Sequence, residues 1–406
     1  MKSESRGPSS PDPRRVHVLH VIGSFRPGGV ETWLVNVLRH VDRSRFQLDF
    51  LVHDAAPCLL EPEALALGAR IHRCPHVRRP ARYARCLGRV LQECGPFDAV
   101  HSHVHAFSGL VLGVAAWHRV PLRIAHSHTT AARESLLRRP ARWCYSTAMR
   151  RAIDRVATHG LACAEAPAQD LFGRDWRDDA RWQVLRCGID PALFETGERS
   201  GSARAALGLE DDALVVGHVG NFHAVKNHPF LLRVFEALLD IHPSAYLVCI
   251  GDGPLLAEVR SEACRAEIDG RVRLLGQRRD VPALMRLFDV FVLPSRLEGL
   301  PLALVEAQAA RLPCVISDIV TLEADVPGSR VVRLSLDRSV GSWARTIVGL
   351  ARTAHTGRPA GPSPVAGTVF DIATGARRLE SLYSSACHPP HDARLLDPMA
   401  EGERPC

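Results

Sequence analysis

The sequence predicts an α/β protein of two doubly wound units, each a parallel sheet wrapped by helices, facing one another across a cleft. Three observations carry this. Apolar runs of strand length alternate with amphipathic helical stretches from one end to the other, the signature of parallel βαβ repeats. The chain has 406 residues, about two to three times a typical domain, so each half can bury its own core. The alternation lapses once near the middle, in CGIDPALFETGERSGS, where Gly, Pro and Ser collect; this places the linker at Cys187 to Ser202.

In the first unit the expected strands are Val16 to Ile22, Phe46 to Val52, Ala69 to His72, Phe97 to His101, Leu122 to Ala125, Leu161 to Ala164 and Gln183 to Arg186. Helices fall between them, among them Glu31 to His40 and Phe107 to His118. The second unit repeats the plan with strands Leu214 to Val219, Ala245 to Ile250, Val272 to Leu275, Val290 to Leu293 and Cys314 to Ile316. Its helices are Phe230 to Ile241, Leu255 to Cys264, Val281 to Leu287 and Leu302 to Ala310. A Gly/Pro-rich stretch, Gly357 to Gly367, precedes a last amphipathic helix, Phe370 to Tyr383. The expected division is a polar tail over 1–14, a first Rossmann-like unit over 15–188 and a second over 189–365. A helical segment over 366–385 follows, then a second tail over 386–406, with both tails disordered.

Composition narrows the class. Hydrophobic residues make up 46% and charged residues 23%, a globular balance. No apolar run reaches bilayer-spanning length, and MKSESRGPSSPDPRR lacks the apolar core of a signal peptide, so a cytoplasmic chain is expected. Twelve cysteines are scattered without a C-x-x-C pair, which reads as reduced core filler instead of disulfides or zinc ligands. Residues 1 to 200 hold 29 Lys/Arg against 20 Asp/Glu, whereas residues 201 to 406 hold 22 against 24. Two arginine-rich stretches produce the asymmetry: Arg78, Arg79, Arg82, Arg85 and Arg89, then Arg133, Arg138, Arg139, Arg142, Arg150, Arg151 and Arg155. Aromatics are only 6% and none is expected to interleave as a stacking platform, which argues against nucleic acid. Solvated helix faces, or docking on anionic lipid or a phosphate-bearing acceptor, remain open.

Ligands of open parallel sheets bind beyond the carboxyl ends of the strands, and four motifs occupy such places. GSFRPGGVETW follows the first strand; Gly28 and Gly29 let backbone approach a ligand, and the helix after them offers N–H groups to an anion, although a simple tight turn would look the same. This is not the G-x-G-x-x-G of dinucleotide-binding enzymes. VGHVGNFHAVKNHPF opens the second unit, with Pro229 at a helix start and Lys226 beside it, where ammonium and amides could jointly hold a diphosphate. Lys226 and Lys2 are the only lysines; the other basic residues are all arginine. A compact, flexible cation thus stands alone where phosphate would sit.

The third motif, LPSRLEGLPLALVEAQAARLPCVISD, spaces Glu298 and Glu306 so that both face the cleft. Pro301 opens the helix, and the amides around Gly299, Leu300 and Leu302 can meet sugar hydroxyls or a carboxyl group; the Glu306 side chain leans back toward that helix start. The fourth is the pair of histidine strings, VHSHVH (His101, His103, His105) and IAHSHTT (His126, His128), each ending a strand. Alternation along a strand makes a zinc site conceivable. With no acidic or cysteine partner in the strings, hydrogen-bonding histidines lining the cleft fit better than a metal site, and no metal or cofactor is expected.

Taken together, GGVETWLVNVLR, RIAHSHTT, GNFHAVKNH, IGDGPL and EGLPLALVEA, in this order, resemble the retaining glycosyltransferases of family 4, with the two-domain architecture called GT-B. The likeness runs from about Val16 to Tyr383. It is greatest to the enzymes of exopolysaccharide and capsule assembly, which share RIAHSH, KNH and the ISD…EADV stretch found here at Ile316 to Val326.

The resemblance implies a cytoplasmic, metal-independent hexosyltransferase that takes a nucleotide-sugar donor and a glycan or lipid-linked acceptor, with peripheral contact to an anionic membrane through the basic first domain. Gly28 and Gly29 would line the phosphate or acceptor side. His128, in the HT position, would contact the transferred sugar, with His126 as the substitute. Lys226 would bind the donor diphosphate, and Gln277 with Arg278 would lie near the base. Glu298 would hold the sugar with backbone help from Gly299, Leu300 and Pro301, and Glu306 would grip the ribose. The last helix would cross back to the first domain. One position departs from the family: an arginine commonly joins the lysine, whereas this chain has Asn221 after Val219 and Gly220. Asn carries no charge, which admits a catalytically silent scaffold as the rival reading; a sugar-nucleotide epimerase of the same architecture is another.

Overall fold

A computed structural model of the protein describes residues 14–130, 140–195, 201–354 and 361–386. The two expected tails, Arg133, Arg138 and Arg139, and part of the linker lie outside the described residues. Two wholly parallel sheets organise the chain. The first has seven strands: β1 (Val16–Ile22), β2 (Phe46–Val52), β3 (Ile71–Arg73), β4 (Ala99–Ser102), β5 (Leu122–Ser127), β6 (His159–Ala162) and β7 (Trp182–Val184). Their order is β3-β2-β1-β4-β5-β6-β7. The second has six: β8 (Val215–Val219), β9 (Tyr246–Ile250), β10 (Val272–Leu274), β11 (Val290–Leu293), β12 (Cys314–Ser317) and β13 (Val331–Leu334). Their order is β10-β9-β8-β11-β12-β13.

Central strands read as near-continuous apolar runs because helices cover both faces. Val18, Leu19, Val21 and Ile22 of β1 and all of β11 are buried. This double burial also explains why the sixth strand was expected to run to Ala164. Cys163 and Ala164 are buried like strand residues, yet they form the turn into the helix Glu165–Phe172. Elements that escape the sequence reading include the short helices Ala192–Glu195 and Gly201–Ala206, the short edge strand β13 and the helix Val340–Ala354. That helix packs Trp343, Ile347 and Ala351 into the second core.

The chain returns to the first sheet at its end. Ile189 bonds Phe370 and Ile372 through backbone pairs of 2.8 and 2.9 Å. Asp371 caps the helix Ile372–Ser384 by accepting from the Ala373 amide at 2.9 Å. The Glu380 carboxylate accepts from the Asp42 amide at 2.7 Å, and the Tyr383 hydroxyl meets His101 at 2.7 Å beneath the first sheet.

Candidate active site

Strand order reverses between β1 and β4 and again between β8 and β11. Loops leaving those strands diverge to opposite faces and open a crevice at their carboxyl ends. The two crevices meet in one cavity of about 910 Å³ between the sheets, within the size range of ligand-binding clefts. The twelve residues given a binding role above line it: Gly28, Gly29, His128, Asn221, Lys226, Gln277, Arg278, Glu298, Gly299, Leu300, Pro301 and Glu306; of the two histidine strings only His128 does, which corrects the expectation that those histidines line the cleft.

Lys226 ends a short turn, Ala224–Lys226, after β8. The next residue, Asn227, takes the left-handed conformation (φ 60°), and its side-chain amide donates to the Pro294 carbonyl at 3.1 Å. That bond ties the lysine loop to the loop carrying Glu298. Across it the Lys226 ammonium donates to the Glu298 carboxylate at 2.7 Å, both side chains being mostly buried. The backbone under this pair is packed tightly: Gly251 (φ 141°) lies against the Gly220 carbonyl, which a Cβ at 251 would approach to 2.1 Å. Every arginine that lines the cleft has a protein partner. Arg39 meets Asn36 and Glu63, Arg278 meets Asp280, and Arg279 and Arg286 reach the Leu59 and Leu193 carbonyls.

Pro301 caps the helix Leu302–Ala309, and Glu306 follows one turn later. Burial pushes the Glu306 carboxyl up to about 7. The loop before this helix touches the first lobe, where a Cβ on Gly299 would lie 2.5 Å from the His128 carbonyl oxygen. Leu302 likewise packs on Gly29. The helix Gly29–His40 begins directly after Gly28, and its Glu31 carboxyl folds over Gly28; burial raises that carboxyl to about 7 as well.

The histidines form a hydrogen-bonded array. His20 Nδ1 meets His103 Nε2 at 2.9 Å, His103 Nδ1 meets His128 Nε2 at 2.9 Å, and His101 Nε2 meets His126 Nδ1 at 3.1 Å. His128 Nδ1 faces the Cys187 thiol at 3.5 Å, so both of its ring nitrogens have protein neighbours. Desolvation lowers the pKa of all five rings, to about 3 for His20 and His128, and keeps them neutral. Two trios, His20 with His101 and His103, and His103 with His126 and His128, have nitrogens close enough to share a cation; most of these nitrogens satisfy one another as neutral imidazoles, whereas His126 Nε2 is buried without a hydrogen-bond partner. The expectation that the strings lack an acidic partner is corrected at His105. It lies in a turn beyond β4 and pairs with Asp170 at 2.9 Å, away from the array. His20 and Tyr383 were not anticipated. The His20↔His101 register between neighbouring strands depends on strand order, which one sequence does not display. Cys163, Cys187 and Arg279 also line the cleft unannounced.

Two doubly wound domains meeting at a cleft of this kind define the GT-B class of sugar-transferring folds. Residues 27–193 match the family described as glycosyltransferase family 4, and residues 213–352 match glycosyl transferases group 1. EpsF of Bacillus subtilis is 39% identical over 348 residues, 84% of this chain and 88% of that protein. The chain belongs to glycosyltransferase family 4 and is a glycosyltransferase of GT-B type. It is also similar to the Escherichia coli UDP-Gal:α-D-GlcNAc-diphosphoundecaprenol α-1,3-galactosyltransferase, at 28% identity over 55% of this chain and 58% of that enzyme. Among solved structures, Anabaena HepE in complex with UDP and glucose superimposes with a TM-score of 0.72 at 18% identity, covering 91% of this chain and 99% of that one.

Proposed function

We propose that the protein transfers a hexosyl group, with retention of configuration and without a metal ion, from a UDP- or GDP-sugar to a glycan or lipid-linked glycan in exopolysaccharide or capsule synthesis. The observation that carries this is the convergence of Lys226, Glu298 and Glu306 on one cavity. Breaking the anomeric bond puts positive charge on the sugar and negative charge on the departing diphosphate. Lys226, beside the start of the helix His228–Leu239, stabilises that diphosphate, work a metal ion performs elsewhere. Glu298 and the Gly299–Pro301 backbone hold the sugar, Glu306 holds the ribose, and Gln277 and Arg278 border the base. His128 stands at the sugar side of the first lobe, and Gly28 and Gly29 border the acceptor. Closing the lobes excludes water and favours transfer over hydrolysis. HepE binds UDP-glucose, which supports a UDP-sugar here, and the Escherichia coli relative supports a lipid-linked acceptor. The exopolysaccharide or capsule setting rests on the motif resemblance.

The test is incubation with a panel of UDP-, GDP- and ADP-sugars in EDTA, with and without lipid-linked acceptors. The expected result is acceptor-dependent release of nucleoside diphosphate and a product that keeps the donor's anomeric configuration by NMR. An altered nucleotide sugar without acceptor would identify an epimerase. Failure to bind UDP or GDP by calorimetry would identify a silent scaffold, and a strict zinc requirement would return attention to the histidine trios.

A pH dependence follows from Glu306. Its pKa in the folded protein, about 7, lies above the usual 4.5, so the carboxyl is protonated below that value and ionised above it. Only the ionised form accepts hydrogen bonds from both ribose hydroxyls. Affinity for UDP should therefore rise between pH 6 and pH 8 with a midpoint near 7, and Glu306→Gln should flatten that rise. Folding stability moves the other way. The unfolded carboxyl ionises first, so burial of Glu306 costs stability as pH climbs from 4.5 to about 7 and no further above it. Calorimetric titration across this range checks the first expectation.

Membrane contact is the remaining part of the proposal. The helices Ser108–Trp117 and Pro140–Val156 pack together and expose Trp117 (85%), Trp143 (53%) and Tyr145 (44%) beside the arginine-rich stretch. Exposed aromatics with arginines suit an anionic lipid interface. Replacing Trp117 and Trp143 by Ser should abolish co-sedimentation with phosphatidylglycerol vesicles; unchanged binding would remove the assignment. Among the described residues, no helix is long and apolar enough to cross a membrane.

A further inference from the structure

The stretch from Ile316 to Val326 has no part in the site described above, yet it carries a charged contact between the lobes. The helix Glu165–Phe172 of the first lobe starts from Ala164, which has no side chain to cap it. Its first amide, that of Glu165, instead donates to the Glu323 carboxylate of the second lobe, at 3.2 Å to one oxygen and 3.1 Å to the other. The same carboxylate pairs with Arg186, which stands just before the linker; each side chain is 20% exposed. Arg186 in turn donates to the Cys163 carbonyl at 3.2 Å. A carboxylate that meets both a helix N-terminus and a guanidinium is held by charge-assisted bonds from two directions.

Glu323 is presented rigidly. Thr321 caps its turn by accepting from the Glu323 amide at 3.2 Å. Asp325 holds Arg333 through bonds of 2.6 and 2.9 Å. Gln308 then locks the turn to the helix Leu302–Ala309: its side-chain nitrogen donates to the Ala324 carbonyl at 2.8 Å, and its oxygen accepts from the Val326 amide at 2.8 Å. That helix also carries Glu306 and begins at Pro301, so an unbroken path runs from the donor pocket to the cap of a first-lobe helix.

We infer that Glu323 is a positioning residue: from the second lobe it caps the helix Glu165–Phe172 and pairs with Arg186, and thereby fixes the lobe arrangement in which acceptor and donor meet. Its effect on transfer rests on the function proposed above; its effect on lobe geometry does not. The side chains assigned to the nucleotide, Lys226, Gln277, Arg278 and Glu306, all belong to the second lobe, so loss of Glu323 leaves UDP binding intact while misaligning His128 and the acceptor side.

The experiment compares wild type, Glu323→Gln and Glu323→Ala in three measurements. Spin labels at one exposed helix position in each lobe report the inter-lobe distance without ligand, calorimetry reports UDP affinity, and steady-state assays separate transfer from donor hydrolysis. Glu323→Ala is expected to lengthen and broaden the distance distribution, hold the UDP Kd within about twofold, and lower kcat for transfer about tenfold with a larger share of hydrolysis. Glu323→Gln, which keeps an acceptor for the Glu165 amide but loses the charge, should fall between. Unchanged distances, or loss of UDP affinity together with melting temperature, would overturn the inference. A wild type that transfers no sugar, with distances that still lengthen in Glu323→Ala, would overturn the proposed function and support the clamp.

Discussion

Lys226→Ala should lower sugar transfer by about 10²- to 10³-fold, roughly 3 to 4 kcal/mol of lost stabilisation on the departing diphosphate. The expectation is this large because the family's usual companion arginine is replaced by Asn221, and because Arg39 and Arg278 are already matched by the Glu63 and Asp280 carboxylates. Arg279 and Arg286 keep their charge against main-chain carbonyls and the ammonium itself is shared with Glu298, so the loss expected is that of one oriented cation. UDP affinity should fall with the rate, since the cation meets the diphosphate in the ground state too. Removing the lysine also strands the Glu298 carboxylate, now 2.7 Å from it, so Glu298→Gln added to Lys226→Ala should cost less than it does alone. Lys226→Arg should recover little, because a planar fork does not fit where a compact ammonium did. Transfer rates and UDP titrations on these variants decide the matter; wild-type turnover in Lys226→Ala would remove Lys226 from the mechanism.

The loops that line the cleft were legible because each chemical residue sits next to its own strand end. Gly28, Lys226 and Glu298 could be placed beyond β1, β8 and β11 from local pattern alone. The features that escaped are those whose partners are distant in sequence. His20 joins the array through a contact with His103 eighty-three positions away, and Glu323 acts on Glu165 across 158 positions. His105 shows the opposite failure, in which strand alternation was extended beyond the end of the strand. The chain leaves β4 at Ser102 and turns with His105 at φ 50°, so its ring reaches Asp170 and not the other histidines. Strand ends were misjudged in both directions. The buried turn residues Cys163 and Ala164 are as apolar as a strand covered on both sides, whereas the polar ends of β4 at Ser102, of β5 at His126 and Ser127 and of β12 at Ser317 were left out.

Gly299→Ala is the smallest change with a comparable effect. Gly299 is not in the left-handed region, so its need for glycine is purely steric: an added Cβ would stand 2.5 Å from the His128 carbonyl oxygen. That oxygen cannot swing aside like a flexible side chain. It is main chain, and it already accepts from the Cys163 thiol at 3.4 Å. The loop must retreat from the first lobe, taking with it Glu298 and the backbone that would hold the sugar. A displacement of about 1 Å of a positioning group costs on the order of 10²-fold in rate. UDP affinity should change far less, because Lys226 and Glu306 stay in place, so this variant loses kcat where Lys226→Ala loses both kcat and affinity. Transfer at the wild-type rate by Gly299→Ala would mean that the two lobes do not meet at His128 when the sugar moves.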